Sequence, residues 1–161
     1  MPLKTKENIS LVGAGLSGPV MATYLSSLGF STDIYESRSD MRTNSTSAGR
    51  SINLALSARG IKALKDIGVY EKIKPTLIPM SGRMIHDGNG DVHLQPYGQK
   101  KNEVIYSVSR SNLNKILMDY AESTNSVNFN FDHELQDIDL KKLKLRFQNK
   151  NIPFNLSLIH I

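Results

Sequence analysis

The chain has 161 residues, 39% hydrophobic and 22% charged, which suits a globular fold and gives enough length for one domain. Its net charge of +5 is scattered from Lys4 to Lys150 among acids, and the densest basic run, Lys141 to Phe147, alternates like a half-exposed strand, so no nucleic-acid partner is expected. The absence of cysteine excludes disulfides and cysteine zinc sites; no apolar stretch nears the ~18 residues of a spanning helix, and Met1 to Lys6 lacks a signal-peptide core, which predicts a start in the cytosol and no membrane segment.

The first element is an apolar strand, Ile9, Leu11 and Val12, running into the turn Gly13-Ala14-Gly15-Leu16-Ser17-Gly18. A helical stripe follows at Leu16, Val20, Met21, Tyr24, Leu25 and Leu28, then a second strand, Thr32, Ile34 and Tyr35, closed by Glu36. Strand, glycine turn, helix, strand and acid about 20 residues on form a dinucleotide-binding unit. Gly13 permits the tight turn, Gly15 lets the backbone approach a pyrophosphate, and Gly18 lets the helix pack closely. The helix start presents unpaired N–H groups and partial positive charge to the phosphates, and Pro19 lies early enough for its missing N–H to cost little. Glu36 is placed to accept hydrogen bonds from both ribose hydroxyls and would repel a 2′-phosphate, which predicts an adenosine of the NAD or FAD type.

Ser37 to Gly49 reads as a polar loop, of a length that in compact domains usually has a function. A helix is expected from about Ala55 to Asp66, stopped by Gly68, with Pro75 and Pro79 marking its exit. From Met80 the period changes to two and Asp87-Gly88-Asn89-Gly90 marks a hairpin, whose next strand is expected at Val104 to Val108. A second amphipathic helix carries Leu113, Ile116, Leu117, Tyr120 and Ala121 and ends near Ser123. Val127 to Phe131, Leu135 to Leu140 and Leu143 to Phe147 then alternate as strands. The pattern predicts an α/β fold, with antiparallel sheet inserted into a doubly wound domain.

Arg110 falls at a strand-to-helix junction, where it opposes the helix dipole, and this favours an anionic partner such as a cofactor pyrophosphate over a plain surface role. Arg83 and Tyr97 lie across one hairpin. They could hold a substrate carboxylate by ion pair and O–H donation, although spacing alone favours an outward arginine and a turn tyrosine. His86, His93, His133 and His160 lack metal-ligand spacing, so no metal is expected. Ser51, Ser57, Ser81 and Ser107 sit in no nucleophile elbow, and Met80 and Met84 read as packing.

Five blocks carry a family resemblance: Val12 to Gly18, Ile34 to Arg38, Gly49 to Gly60, Ile78 to His86, and Ser107 to Arg110 with Leu113-Asn114. The chain resembles the kynurenine 3-monooxygenase family of FAD-dependent aromatic hydroxylases over about Ile9 to Leu135, and the third and fourth blocks are the specific ones. The resemblance implies a Rossmann-like FAD-binding domain of the GR2 flavoprotein type over residues 1–150, truncated, with substrate-side hairpins within about 78–108 and an unassigned tail over 151–161. It implies FAD contacts at Ser17 with Gly13, Gly15 and Gly18, at Tyr35, Glu36, Ser37 and Arg38, and at Ala55, Arg110 and Leu135. Arg83 and Tyr97 then take the amino-acid carboxylate of the substrate.

The implied reaction is hydroxylation of L-kynurenine to 3-hydroxykynurenine, on the route of tryptophan degradation to NAD, with bound FAD, NADPH as co-substrate and O2. No catalytic side chain is assigned, because the cofactor carries the chemistry. Family members continue well past this length, so the expectation is an incomplete chain, cytoplasmic in a bacterium or at the mitochondrial outer membrane in a eukaryote. A related hydroxylase with another aromatic substrate, and a non-catalytic nucleotide-binding fragment, are the alternatives.

Overall fold

The computed structural model describes residues 8–43, 52–100, 103–148, 150–154 and 156–159, the last for their backbone alone. The second half of the expected polar loop, with Gly49, Arg50 and Ser51 of the matching block, lies outside the described residues, as does His160. In chain order the elements are β1 (Asn8–Val12), α1 (Ser17–Ser27), β2 (Ser31–Tyr35), β3 (Asn53–Leu56), α2 (Ala58–Asp66), α3 (Tyr70–Ile73), β4 (Ile78–Met80), β5 (Gly82–His86) and β6 (Val92–Pro96). They continue with β7 (Ile105–Ser109), α4 (Arg110–Glu122), β8 (Val127–Asn130), β9 (Leu135–Asp139), β10 (Lys144–Phe147), β11 (Lys150–Pro153) and β12 (Leu156–Ile159). The chain divides into two compact units, Met1–Gly49 with Asn114–Ile161, and Arg50–Leu113.

The first unit is built on a parallel sheet in the order β12-β1-β2-β8. Parallel strands are buried on both faces, and β1 is buried at Ile9, Ser10 and Leu11 in succession. On one face Ile9, Leu11, Ile34 and Val127 pack with Ala22 of α1 and Ala121 of α4. On the other, Tyr35 and Val12 pack with Leu145, Phe147, Ile138 and Phe154 of the antiparallel sheet β11-β10-β9. Each large aliphatic residue so enclosed, Leu11 or Ile34 for example, contributes about 1.5–3 kcal/mol. The stretch over 151–161 thus contains most of β11 and all of β12, and β12 pairs with β1 from Ile9↔Leu156 to Val12↔Ile159.

The face that α1 buries differs from the apolar stripe read in the sequence. Gly18, Pro19, Ala22 and Thr23 are buried, whereas Met21, Tyr24 and Leu28 are exposed. A helix that lies close on a sheet turns its small residues inward, and this overrides the larger apolar period.

The second unit carries the antiparallel sheet β3-β7-β4 and the two-stranded hairpin β5-β6. Asn53 to Leu56 form a strand against Ser109 to Tyr106, so the helix expected from Ala55 begins only at Ala58. The strand after the hairpin is β7, and it pairs with β3 and β4, not with β6. Pairing across this many residues is decided by tertiary packing, which a local period does not reveal. No helix among the described residues is long and apolar enough to cross a membrane.

Candidate functional site

The glycine turn joins β1 to α1. Gly13 has φ 103°, a conformation that L side chains rarely adopt, and its N–H donates to the Tyr35 carbonyl at 2.7 Å. A Cβ on Gly18 would collide with the Gly13 carbonyl oxygen, so the start of α1 can approach the turn only with glycine there. Gly15 is different: a Cβ there would meet nothing within 4 Å. Among the described residues neither backbone conformation nor packing calls for glycine at this position, which leaves this face of the turn open. Helix α1 opens beside Gly15 with no side-chain cap among the described residues and no acid in its first turn. Its leading N–H groups and positive dipole end are therefore left for an external anion.

Ala14 is held from both sides. Its N–H donates to Glu36 Oε2 at 2.8 Å, and its carbonyl accepts from Asn114 Nδ2 at 2.9 Å. Asn114 is 6% exposed, also donates to Met41 Sδ, and leaves its Oδ1 without a partner among the described residues.

Glu36, likewise 6% exposed, sits just past β2. Its backbone is fixed by bonds from its N–H to the Asn130 carbonyl and from the His133 N–H to its own carbonyl. Its Oε1 accepts from the Arg38 N–H at 3.0 Å, Arg38 Nε at 2.8 Å and Ser37 Oγ at 3.2 Å. Burial pushes the Glu36 carboxyl up, but the bonds from Arg38 and from the Ala14 N–H outweigh it and hold the group at about 2. The sequence suggested a carboxylate waiting for ribose hydroxyls; the structure shows one already bound to the turn and to Arg38, whose side chain is 70% exposed. Tyr35 packs against Phe147 and His133 on the inner side of the same strand end.

Arg42 and Asn114 received no role from the sequence. Arg42 pairs with Asp40 at 2.8 Å, Asp119 at 3.0 Å and Glu122 at 2.7 Å, and lies over the Phe129 and Phe131 rings. The Asp40 bonds push its guanidinium up, and Arg42 in turn holds Asp40 below its usual range. This cluster ties the segment after Glu36 to α4. The available signal for Asn114 was a polar residue inside the apolar face of a helix, between Leu113 and Leu117.

In the second unit, β5 and β6 pair Arg83 with Gln95 and Met84 with Leu94. Arg83 Nε donates to Gln95 Oε1 at 2.7 Å. The Tyr97 N–H donates to the Ser81 carbonyl at 3.0 Å, continuing the ladder, so strand alternation gives Tyr97 the face of Gln95 and Arg83. The opposite face carries Met84, Val92 and Leu94. Arg110 is the first residue of α4, exposed, with its N–H on the Ile52 carbonyl. Ala55 lies on β3 opposite Ser107, and Leu135 opens β9 beside the Tyr35 core. Among the described residues no group of three or more His, Asp or Glu could hold a metal ion.

A parallel sheet, a glycine turn against an uncapped helix, and an ionised acid after the second strand define a dinucleotide-binding α/β domain. Residues 6–150 match the model of the FAD binding domain, and the chain belongs to that family. It is 41% identical over 148 residues to a kynurenine 3-monooxygenase of Legionella pneumophila, an alignment covering 92% of this chain and 33% of that protein. It is 46% identical over 134 residues to the enzyme of that name from Cytophaga hutchinsonii, covering 82% and 29%. With that of Anopheles gambiae the figures are 43% over 133 residues, 83% and 27%. The chain thus spans about a third of the length of these curated relatives. Among solved structures, the tetrameric form of 2-methyl-3-hydroxypyridine-5-carboxylic acid oxygenase superposes with a TM-score of 0.78 at 18% identity, covering 96% of this chain and 39% of that one. For p-nitrophenol 4-monooxygenase from Pseudomonas putida the TM-score is 0.72 at 15% identity, covering 98% and 40%. At these identities the likeness concerns the fold.

FAD fits the residues present: no described residue lies within 4 Å of where a Cβ on Gly15 would stand, the uncapped α1 supplies donors, and Glu36 supplies a fixed acceptor.

Proposed function

We propose that this chain supplies the adenosine-diphosphate cradle and the carboxylate-binding hairpin of an FAD-dependent monooxygenase that converts L-kynurenine to 3-hydroxykynurenine with NADPH and O2. The observation that carries the reading is the open outer face of Gly15 at an uncapped helix start, in a chain 37–46% identical to proteins named for that reaction.

In this reading the N–H groups of Gly15, Leu16 and Ser17 face the pyrophosphate, and Tyr35, Glu36, Ser37 and Arg38 surround the ribose. The exposed Arg38 guanidinium is the Glu36 partner that ribose hydroxyls replace, while the backbone N–H groups of Ala14 and Arg38 stay on the carboxylate. Because Glu36 is ionised at neutral pH it repels a 2′-phosphate, so the cradle takes FAD and leaves NADPH to act as a transient co-substrate. Bound FAD supplies the redox and oxygen chemistry. Arg83 and Tyr97 grip the substrate carboxylate by ion pair and O–H donation. Ala55, Arg110 and Leu135 complete the FAD contacts.

The test is made on the complete gene product that carries this chain. The expected result is a yellow protein whose NADPH oxidation rises with kynurenine and which yields 3-hydroxykynurenine by mass spectrometry. A colourless protein that takes up no flavin, or a flavoprotein that ignores kynurenine, contradicts the reading.

A further inference from the structure

Gly15 poses a mechanical problem for any anion site built on this turn. Glycine has the largest backbone freedom of any residue, so the peptide plane between Ala14 and Gly15 has little local reason to keep one orientation. That plane contains two groups, the Ala14 carbonyl and the Gly15 N–H, which a trans peptide points in opposite directions. Whatever fixes the carbonyl therefore aims the N–H.

Asn114 Nδ2 fixes it, at 2.9 Å, from a side chain 100 residues away in sequence. The amide orientation is unambiguous, because a carbonyl only accepts and the nitrogen must face it. On the adjoining plane the Ala14 N–H is fixed by Glu36. The placement of Asn114 is costly for the fold. It occupies a buried position between Leu113 and Leu117 and strands its Oδ1 without a partner among the described residues. A leucine there would suit an apolar helix face better, so a purely packing role does not explain the residue.

We propose that Asn114 is a positioning residue for the cofactor: it locks the Ala14–Gly15 peptide so that the Gly15 N–H is presented to the pyrophosphate. The inference rests on the reading of the turn as an FAD cradle.

The experiment uses the complete gene product freed of flavin and titrated with FAD by fluorescence quenching, with variants Asn114→Leu, Asn114→Asp and Gly15→Ala. Asn114→Leu is expected to weaken FAD about tenfold, the equivalent of one lost hydrogen bond. Asn114→Asp is expected to bind weakly at neutral pH and to approach the parent protein as pH falls. A protonated carboxyl again donates to the Ala14 carbonyl, and burial brings that protonation into an accessible range. A merely structural role would not give this pH-dependent rescue. Native FAD affinity in Asn114→Leu, with Gly15→Ala impaired, overturns the proposal and spares the cradle. Unchanged affinity in Gly15→Ala overturns the cradle reading itself. Should Asn114→Leu not fold, a deficit in Asn114→Asp that stays constant with pH overturns the proposal.

Discussion

Glu36 and Asn114 act on opposite ends of Ala14: the carboxylate accepts its N–H at 2.8 Å and the amide donates to its carbonyl at 2.9 Å. One acid just past β2 and one amide in α4 thereby brace a turn whose glycines have little conformational preference of their own.

The Glu36 carboxyl is held at about 2, against an ordinary value of 4.5. A carboxyl lowered by folding contributes stability that is complete above the ordinary value and is lost as pH falls through the folded one. Melting temperature is expected to drop between about pH 4.5 and pH 2 in part through this group. In Glu36→Gln, scanned by circular dichroism over the same range, the slope should be shallower and the neutral-pH melting temperature lower. An unchanged slope would assign the acid sensitivity elsewhere.

Gly15 and Gly18 should respond in opposite ways to alanine. Gly18→Ala places a methyl group on the Gly13 carbonyl and is expected to cost about 1–3 kcal/mol. Gly15→Ala meets open space, and its lower unfolded-state entropy should leave stability equal or about 0.4–1 kcal/mol higher. Urea unfolding of the two variants measures both.

Arg42→Ala removes bonds to Asp40, Asp119 and Glu122 and leaves three acids close together. Two of those acids are largely exposed, so the expected loss is about 1–3 kcal/mol, smaller than for a fully buried network. Arg42→Lys should recover little of it, because a single ammonium cannot reproduce the forked contact with Asp40. Full recovery by lysine would reduce the cluster to point charges.

If the proposed reading holds, Arg83→Ala in the complete gene product should raise the KM for kynurenine by about 2–5 kcal/mol equivalent, and Tyr97→Phe by about 1. Neither should change turnover of an analogue that lacks the carboxylate. Equal losses on both substrates would deny the pair a role in carboxylate binding.

The strand, glycine turn and strand from Ile9 to Glu36 were legible because each rests on local rules: period, φ at Gly13, and spacing of the acid. The hairpin around Asp87 to Gly90 was legible for the same reason. What escaped depends on partners distant in the chain. The buried face of α1 is set by closeness to the sheet, so small residues displace the apolar stripe. Asn53 to Leu56 become a strand only because β7 lies beside them. β12 lies at the far end of the chain from its partner β1. Arg38 stands two residues from Glu36, yet nothing local shows that the same carboxylate reaches Ala14, or that Asn114 meets it there.

The role proposed for Gly15 is to receive the cofactor pyrophosphate on its open face. Its most direct measurement is the FAD affinity of the flavin-free gene product with and without Gly15→Ala, read beside the stability of each. Alanine is expected to leave stability intact and to weaken FAD by about tenfold or more. Unchanged FAD affinity in a stable Gly15→Ala protein would contradict it.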